Sequence, residues 1–292
     1  MKEGLTVEIS PGFNLTAKYY PAKPPSTKPL LFCLPGGGVA TDFFDLAPNY
    51  SFTDRMTEMG FDVMTMNHPG TVDNPLPKDH GFLEPRQAAD YIYKALSQLI
   101  PPTRSLIGLG HSMGGMTITL MQGKHNIFDA IALLGSSAGG LDLGLTDAEK
   151  TYIDNPEELA RDLEKLTLNK FGSEFISYPG AGPSGRSITF GGETEALNQR
   201  LREVTCTLFA TGGMMSMVRG SFIKEVEALK VPLFFAFGDH DIGIPPQEVP
   251  KAYINAASTE LLVLENTGHN HMAFSSIEML CSKMEAWAQS LA

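Results

Sequence analysis

From residue 29 onward the chain alternates short apolar runs with segments whose apolar residues recur every three or four positions. Apolar runs of roughly 4–8 residues between turn signals read as strands buried on both faces, and the helical-period segments read as the crossovers that join parallel strands. Six runs fit: PLLFCLPG, FDVMTMN, SLIGLG, AIALLGS, VPLFFAFG and ELLVLEN. Two earlier runs, LTVEIS and NLTAKYY, flank Pro11 and Gly12 and predict an antiparallel hairpin at one sheet edge. The expected fold class is α/β, with about eight strands in a mostly parallel sheet flanked by helices. At 292 residues, 42% of them hydrophobic, the chain fills one such domain with room for an insertion.

The insertion is expected at 139–229, between AIALLGS and VPLFFAFG, a stretch too long for one crossover. It carries helical patterns and no convincing strand. Thr146 with Glu149 marks one helix start, NPEELARDLEKL a second with Pro156 in its first turn, and ETEALNQRLREV a third. The loop SYPGAGPSGRS separates the second from the third. The domain reading is an α/β core of residues 1–138 and 230–292 and a helical cap of residues 139–229. A last helix is expected to pack Ile277, Leu280, Cys281, Met284 and Trp287 on the sheet, with Ser275 and Glu278 as a capping box. A further helix is read at TDFFDL. No internal repeat or low-complexity tract is present.

The formal net charge of −11, with no cluster of Lys and Arg, argues against nucleic acid and anionic membranes, because phosphate binding depends on clustered cations. A small-molecule partner is expected instead. Cys33, Cys206 and Cys281 are odd in number, scattered and without metal-ligand spacing, so they read as buried thiols in a reducing compartment. The N-terminal MKEGLTVEIS lacks a signal-peptide layout, and no apolar run reaches the roughly 18 residues of a membrane span. The expectation is a soluble, cytoplasmic protein. Oligomeric state has no sequence signal.

Within LIGLGHSMGGMTITLMQ, Gly110, Ser112 and Gly114 satisfy G-x-S-x-G. Composition alone yields about 0.1 to 0.2 such matches per chain of this length, so the context decides. An apolar strand run precedes the serine and a helical pattern follows it, the layout of a nucleophile elbow. Downstream, GDHDIGIP follows VPLFFAFG and TGHNHMAF follows ELLVLEN. Together these motifs resemble the α/β-hydrolase family, from about residue 29 to the C-terminus. A serine hydroxyl needs a base, and the base an orienting carboxylate. The resemblance implies Ser112 as nucleophile, Asp241 as acid and His269 as base. Asp239 and His271 each lie two residues from these, on segments where side chains two apart can face the same way. Read singly, the aspartates are also turn formers and the histidines surface residues.

The resemblance further implies an oxyanion hole from the backbone N–H of Met113 and one from LPGGGVA, Gly37 first and Gly38 next to it, where Pro35 replaces the family's histidine. The alternative for that loop is a plain turn. Where many family members carry an Asp, MTMNHPGTVDNP carries Asn67 and His68, so His68 is a candidate substrate contact or a structural histidine; its spacing to Asp73 is treated as chance. In TGGMMSMVRGSF, Met214, Met215 and Met217 are candidates for an apolar pocket or for packing between cap helices, and Arg219 for a substrate carboxylate or solvent. The function expected is a serine hydrolase acting on an ester, lactone or thioester of an apolar small molecule, without metal or organic cofactor. A lyase or acyltransferase on the same scaffold, or a ligand receptor retaining the three residues, are the alternatives. Phosphate-binding motifs are missing, and epoxide hydrolase or haloalkane dehalogenase chemistry is disfavoured because those relatives place Asp at the elbow.

Overall fold

The computed structural model describes residues 3–23, 25, 27–141, 144–177 and 191–291. Strands are β1 (Glu3–Ser10), β2 (Phe13–Tyr20), β3 (Leu30–Leu34), β4 (Val63–Met66), β5 (Leu106–His111), β6 (Ala130–Leu134), β7 (Phe175–Ser177), β8 (Thr207–Phe209), β9 (Pro232–Gly238) and β10 (Ser258–Leu264). Helices are α1 (Phe52–Glu58), α2 (Pro85–Leu99), α3 (Met113–His125), α4 (Asp147–Lys150), α5 (Pro156–Phe171), α6 (Glu195–Glu203), α7 (Ala210–Met217), α8 (Ile223–Ala228) and α9 (Ile277–Ser290). The main sheet has eight strands in the order β1-β2-β4-β3-β5-β6-β9-β10. β1 and β2 form the edge hairpin, β2 joins β4 antiparallel, and every pairing from β4 through β10 is parallel.

The central strands are apolar throughout because both faces are covered, and their period-two alternation assigns each residue to a layer. Leu30, Phe32 and Leu34 of β3, Ile131 and Leu133 of β6, and Leu233, Phe235 and Phe237 of β9 enter one core, with apolar residues of α2, α3 and α8. Leu31, Cys33, Ala132, Leu134, Phe234 and Ala236 enter the other, with residues of α1 and α9.

Between β6 and β9 lie α4 to α8 and, contrary to the all-helical expectation, β7 and β8, paired antiparallel as a separate two-stranded sheet. Two three-residue strands are too short to show a period in sequence. α8 packs on α3, where Gly123 leaves room for Glu225, and Arg86 of α2 pairs with Glu225. Most of SYPGAGPSGRS falls at 178–187, outside the described residues. TDFFDL is a single 3₁₀ turn, Thr41–Phe44, not a helix. The expected capping box at Ser275 is not formed: the Ser275 N–H that Glu278 would satisfy donates to Glu193 instead, at 2.7 Å, and α9 begins after Ser276. Among the described residues no helix is long and apolar enough to cross a membrane.

Candidate active site

The glycine loop after β3, the serine turn after β5 and the Asp241 and His269 segments after β9 and β10 lie just past the C-terminal ends of parallel strands, where open α/β sheets form their crevices. Ser112 follows β5 and immediately precedes α3, with φ +52° and ψ −122°. A non-glycine residue there is strained by about 1–3 kcal/mol and persists only when its surroundings fix it. Here the Ser112 N–H donates to the Leu134 carbonyl at 2.8 Å, and the glycines around it permit the approach. A Cβ at Gly110 would strike the Gly114 backbone, one at Gly114 the Leu34 carbonyl, and one at Gly115 the side chain of Ser136.

The loops after β9 and β10 are brought together at Gly238, where any side chain would strike the Thr267 carbonyl. Asp239 braces them: its carboxylate accepts N–H groups of Asn266 and Thr267 at 2.9 and 3.0 Å, and these backbone donors hold it below its usual range. Asp241 points inward instead, with 3% of its side chain exposed. Its Oδ1 accepts from His269 Nδ1 at 2.6 Å and from the Ile242 N–H at 2.7 Å. Its Oδ2 accepts from His271 Nε2 at 2.8 Å and from the Gly238 N–H at 3.3 Å. Burial pushes the Asp241 carboxyl up, but the charges and hydrogen bonds of His269 and His271 outweigh it and hold the group well below the carboxylate range. Both histidines of TGHNHMAF therefore meet one carboxylate, through different ring nitrogens. His269 is bound through Nδ1, which leaves Nε2 for another partner.

His111, between Gly110 and Ser112, donates Nε2–H to the His269 carbonyl at 2.8 Å, and the two rings lie 4.7 Å apart. Burial first, then the neighbouring His269 and His271, keep His111 well below the ordinary histidine range. This bond ties the serine turn to the loop carrying His269, and the sequence reading missed it, because the x positions of G-x-S-x-G carry no expectation of their own.

Gly37 and Met113 are adjacent. A Cβ at Gly37 would lie 3.7 Å from that of Met113 and would collide with Leu208. Gly38 has φ +76°, and its carbonyl accepts the Cys206 N–H at 2.8 Å, fastening this loop to the 204–206 segment. His68 is buried and bonds through Nε2 to the Pro35 carbonyl at 2.9 Å; burial lowers it to about 4, against the opposing effect of that bond. It thus holds the glycine loop from behind. Asp73 accepts from Asn67, not from His68.

A cavity of about 20 Å³ lies beside Ser112. Its lining includes Met116, Ser136, Ser137, Ser216, Phe222 and Phe237. Met214, Met215 and Met217 are not among its lining residues: Met214 and Met215 are buried in the core, and Met217 packs against it. Ser216 of α7 lines the cavity, while its neighbours Met215 and Met217 pack in or against the core. Arg219 pairs with Asp154 at 2.8 Å. Among the described residues no group of three or more His, Cys, Asp or Glu could hold a metal ion.

A model of the alpha/beta hydrolase family matches residues 31–276. Comparison with curated proteins yields no match. Among solved structures the chain is similar to a monoacylglycerol lipase from Paleococcus ferrophilus, with 16% identity, TM-score 0.68, and coverage of 95% of this chain and 99% of that one. It is also similar to a putative lipase from Acinetobacter baumannii, with 14% identity, TM-score 0.61, and coverage of 99% and 92%. A thioesterase domain from the curacin biosynthetic pathway shares 15% identity at TM-score 0.61, with coverage of 97% and 99%. At these identities the likeness is one of fold.

Proposed function

Because the chain belongs to the alpha/beta hydrolase family, we propose that it is a serine hydrolase cleaving an ester, lactone or thioester of a small apolar molecule. The observation that carries this reading is the buried Asp241–His269 pair at 2.6 Å, bonded through Nδ1 and tied by His111 to the strained turn that bears Ser112. In the proposed reaction Ser112 Oγ attacks the substrate carbonyl and His269 Nε2 takes its proton. The carbonyl π electrons move to oxygen, where the N–H groups of Met113 and Gly37 stabilise the charge, with Gly38 shaping the loop. His269 returns the proton to the leaving alcohol or thiol. Water, deprotonated by His269, then attacks the acyl-enzyme and restores Ser112. Asp241 orients the imidazole and stabilises its charged form. The 139–229 segment acts as the cap over this crevice and sets its specificity, and no cofactor takes part.

A cavity of about 20 Å³ takes one or two water-sized groups, since one water needs on the order of 10–15 Å³. The acyl side accordingly accepts a short group between Phe222, Phe237 and Met116. Hydrolysis of p-nitrophenyl acetate should exceed that of the octanoate by at least tenfold in kcat/KM, and Ser112→Ala should abolish both. Acetate turnover unchanged in Ser112→Ala would contradict the serine nucleophile. Stoichiometric acylation without release would favour the receptor reading.

A further inference from the structure

His271 stands beside the reaction residues and has no part in the steps above. It sits on a 3₁₀ turn, His271–Ala273, its side chain is fully buried, and its Nδ1 has no hydrogen-bond partner among the described residues. A carboxylate only accepts, so the Nε2 facing Asp241 carries the proton. The division of donors on Asp241 is uneven. Oδ1 has two short ones, His269 and the Ile242 N–H; Oδ2 has His271 at 2.8 Å and otherwise the Gly238 N–H at 3.3 Å. A buried carboxylate oxygen left with one long donor is costly, and the group turns to recover a better one. His271 is thus what opposes rotation of the carboxylate away from His269.

We propose that His271 is a positioning residue: by donating to the second oxygen of Asp241 it fixes the carboxylate plane, setting how strongly Asp241 acts on His269. This rests on the hydrolase reading, since it gives His271 a role only through His269. His271 faces Asp241 on the loop after β9, the ring of His269 at 6.3 Å on its own loop, and the ring of His111 at 5.6 Å at the end of β5. The sequence offers H-x-H as two candidates for one base; the structure assigns them separate duties on one acid.

The test compares His271→Phe, which fills the site without a donor, with His271→Gln, whose amide N–H can replace Nε2–H. His271→Met serves in place of the Phe variant if that does not fold. Two readouts are taken: kcat/KM for p-nitrophenyl acetate against pH, and the titration of His269 followed by ¹⁵N NMR of its ring. Without the donor the carboxylate turns away from His269 and supports its charged form less, so the acid limb and the His269 titration should both move to lower pH by about 0.5–1 unit. kcat should fall about tenfold with KM unchanged, and His271→Gln should restore both within about twofold. A folded Phe or Met variant with the wild-type titration would overturn the proposal, as would a Gln variant displaced as far as they are. The NMR titration needs no turnover. An inactive wild type would therefore count against the hydrolase reading, while the titration still decides whether His271 governs the Asp241–His269 pair.

Discussion

At the scale of single residues, the serine turn depends on absent side chains as much as on Ser112. Gly114→Ala would drive a Cβ into the Leu34 carbonyl, which is backbone in a central strand and has nowhere to go. That substitution should cost at least about 3 kcal/mol by urea unfolding, or prevent folding, a cost of overpacking added to lost helix geometry. Gly213→Ala, in α7, meets only Leu208 side-chain atoms at 3.7–3.8 Å and should change stability by less than about 1 kcal/mol. Equal effects of the two would contradict the elbow geometry. These glycines were legible in sequence because a strand-turn-helix crossing needs them at fixed offsets from the serine. The choice between Asp239 and Asp241 was legible only as motif position. What separates them is that Asp239 turns to the Asn266 and Thr267 N–H groups while Asp241 turns inward, and no local pattern encodes that division. His111 and His271 were invisible as partners because each acts across more than one loop.

At the scale of elements, all eight main-sheet strands are legible in sequence, the six parallel ones as short apolar runs and the edge hairpin as two runs flanking Pro11 and Gly12. β7 and β8 were missed because three residues cannot display a period. For the methionines of α7 the sequence leaves pocket and packing both open, because composition gives the residue type and not the helix face. Capping shows the same divide. Thr146 and Glu149 form a reciprocal box at the start of α4, with Lys170 of α5 bracing Glu149 at 2.8 Å, whereas Ser275 donates its N–H to Glu193. Thr146→Ala should therefore lower the local stability of 147–150 by about 1 kcal/mol in hydrogen exchange. Ser275→Ala should cost α9 less than about 0.5 kcal/mol, as it leaves that backbone donor in place. A larger loss at Ser275 than at Thr146 would reverse the assignment.

At the scale of the whole molecule, several buried histidines and one buried acid lie under the crevice, and folding is coupled to their protonation. His68 is lowered by burial to about 4, and unfolding returns it to about 6.5. Between these values the unfolded chain binds the extra proton, so stability is present above pH 6.5 and declines as pH falls toward 4, by about 3 kcal/mol from this residue. His111, also held low by burial, acts in the same direction, and Asp241 extends the loss into the carboxylate range. Urea midpoints should fall steadily from pH 7 to 4, with a shallower slope in His68→Gln; a flat profile would refute this linkage. The same crevice gathers the ends of β3, β4, β5, β6, β9 and β10, so the reactivity proposed for Ser112 should exist only in the assembled sheet. Exposure of the folded protein to a fluorophosphonate, followed by peptide mapping, tests this most directly. The expected result is one stoichiometric adduct on Ser112, lost in Ser112→Ala, slowed at least a hundredfold in His269→Ala, and absent after urea unfolding. No adduct on the folded chain, or an adduct on another residue, would contradict it.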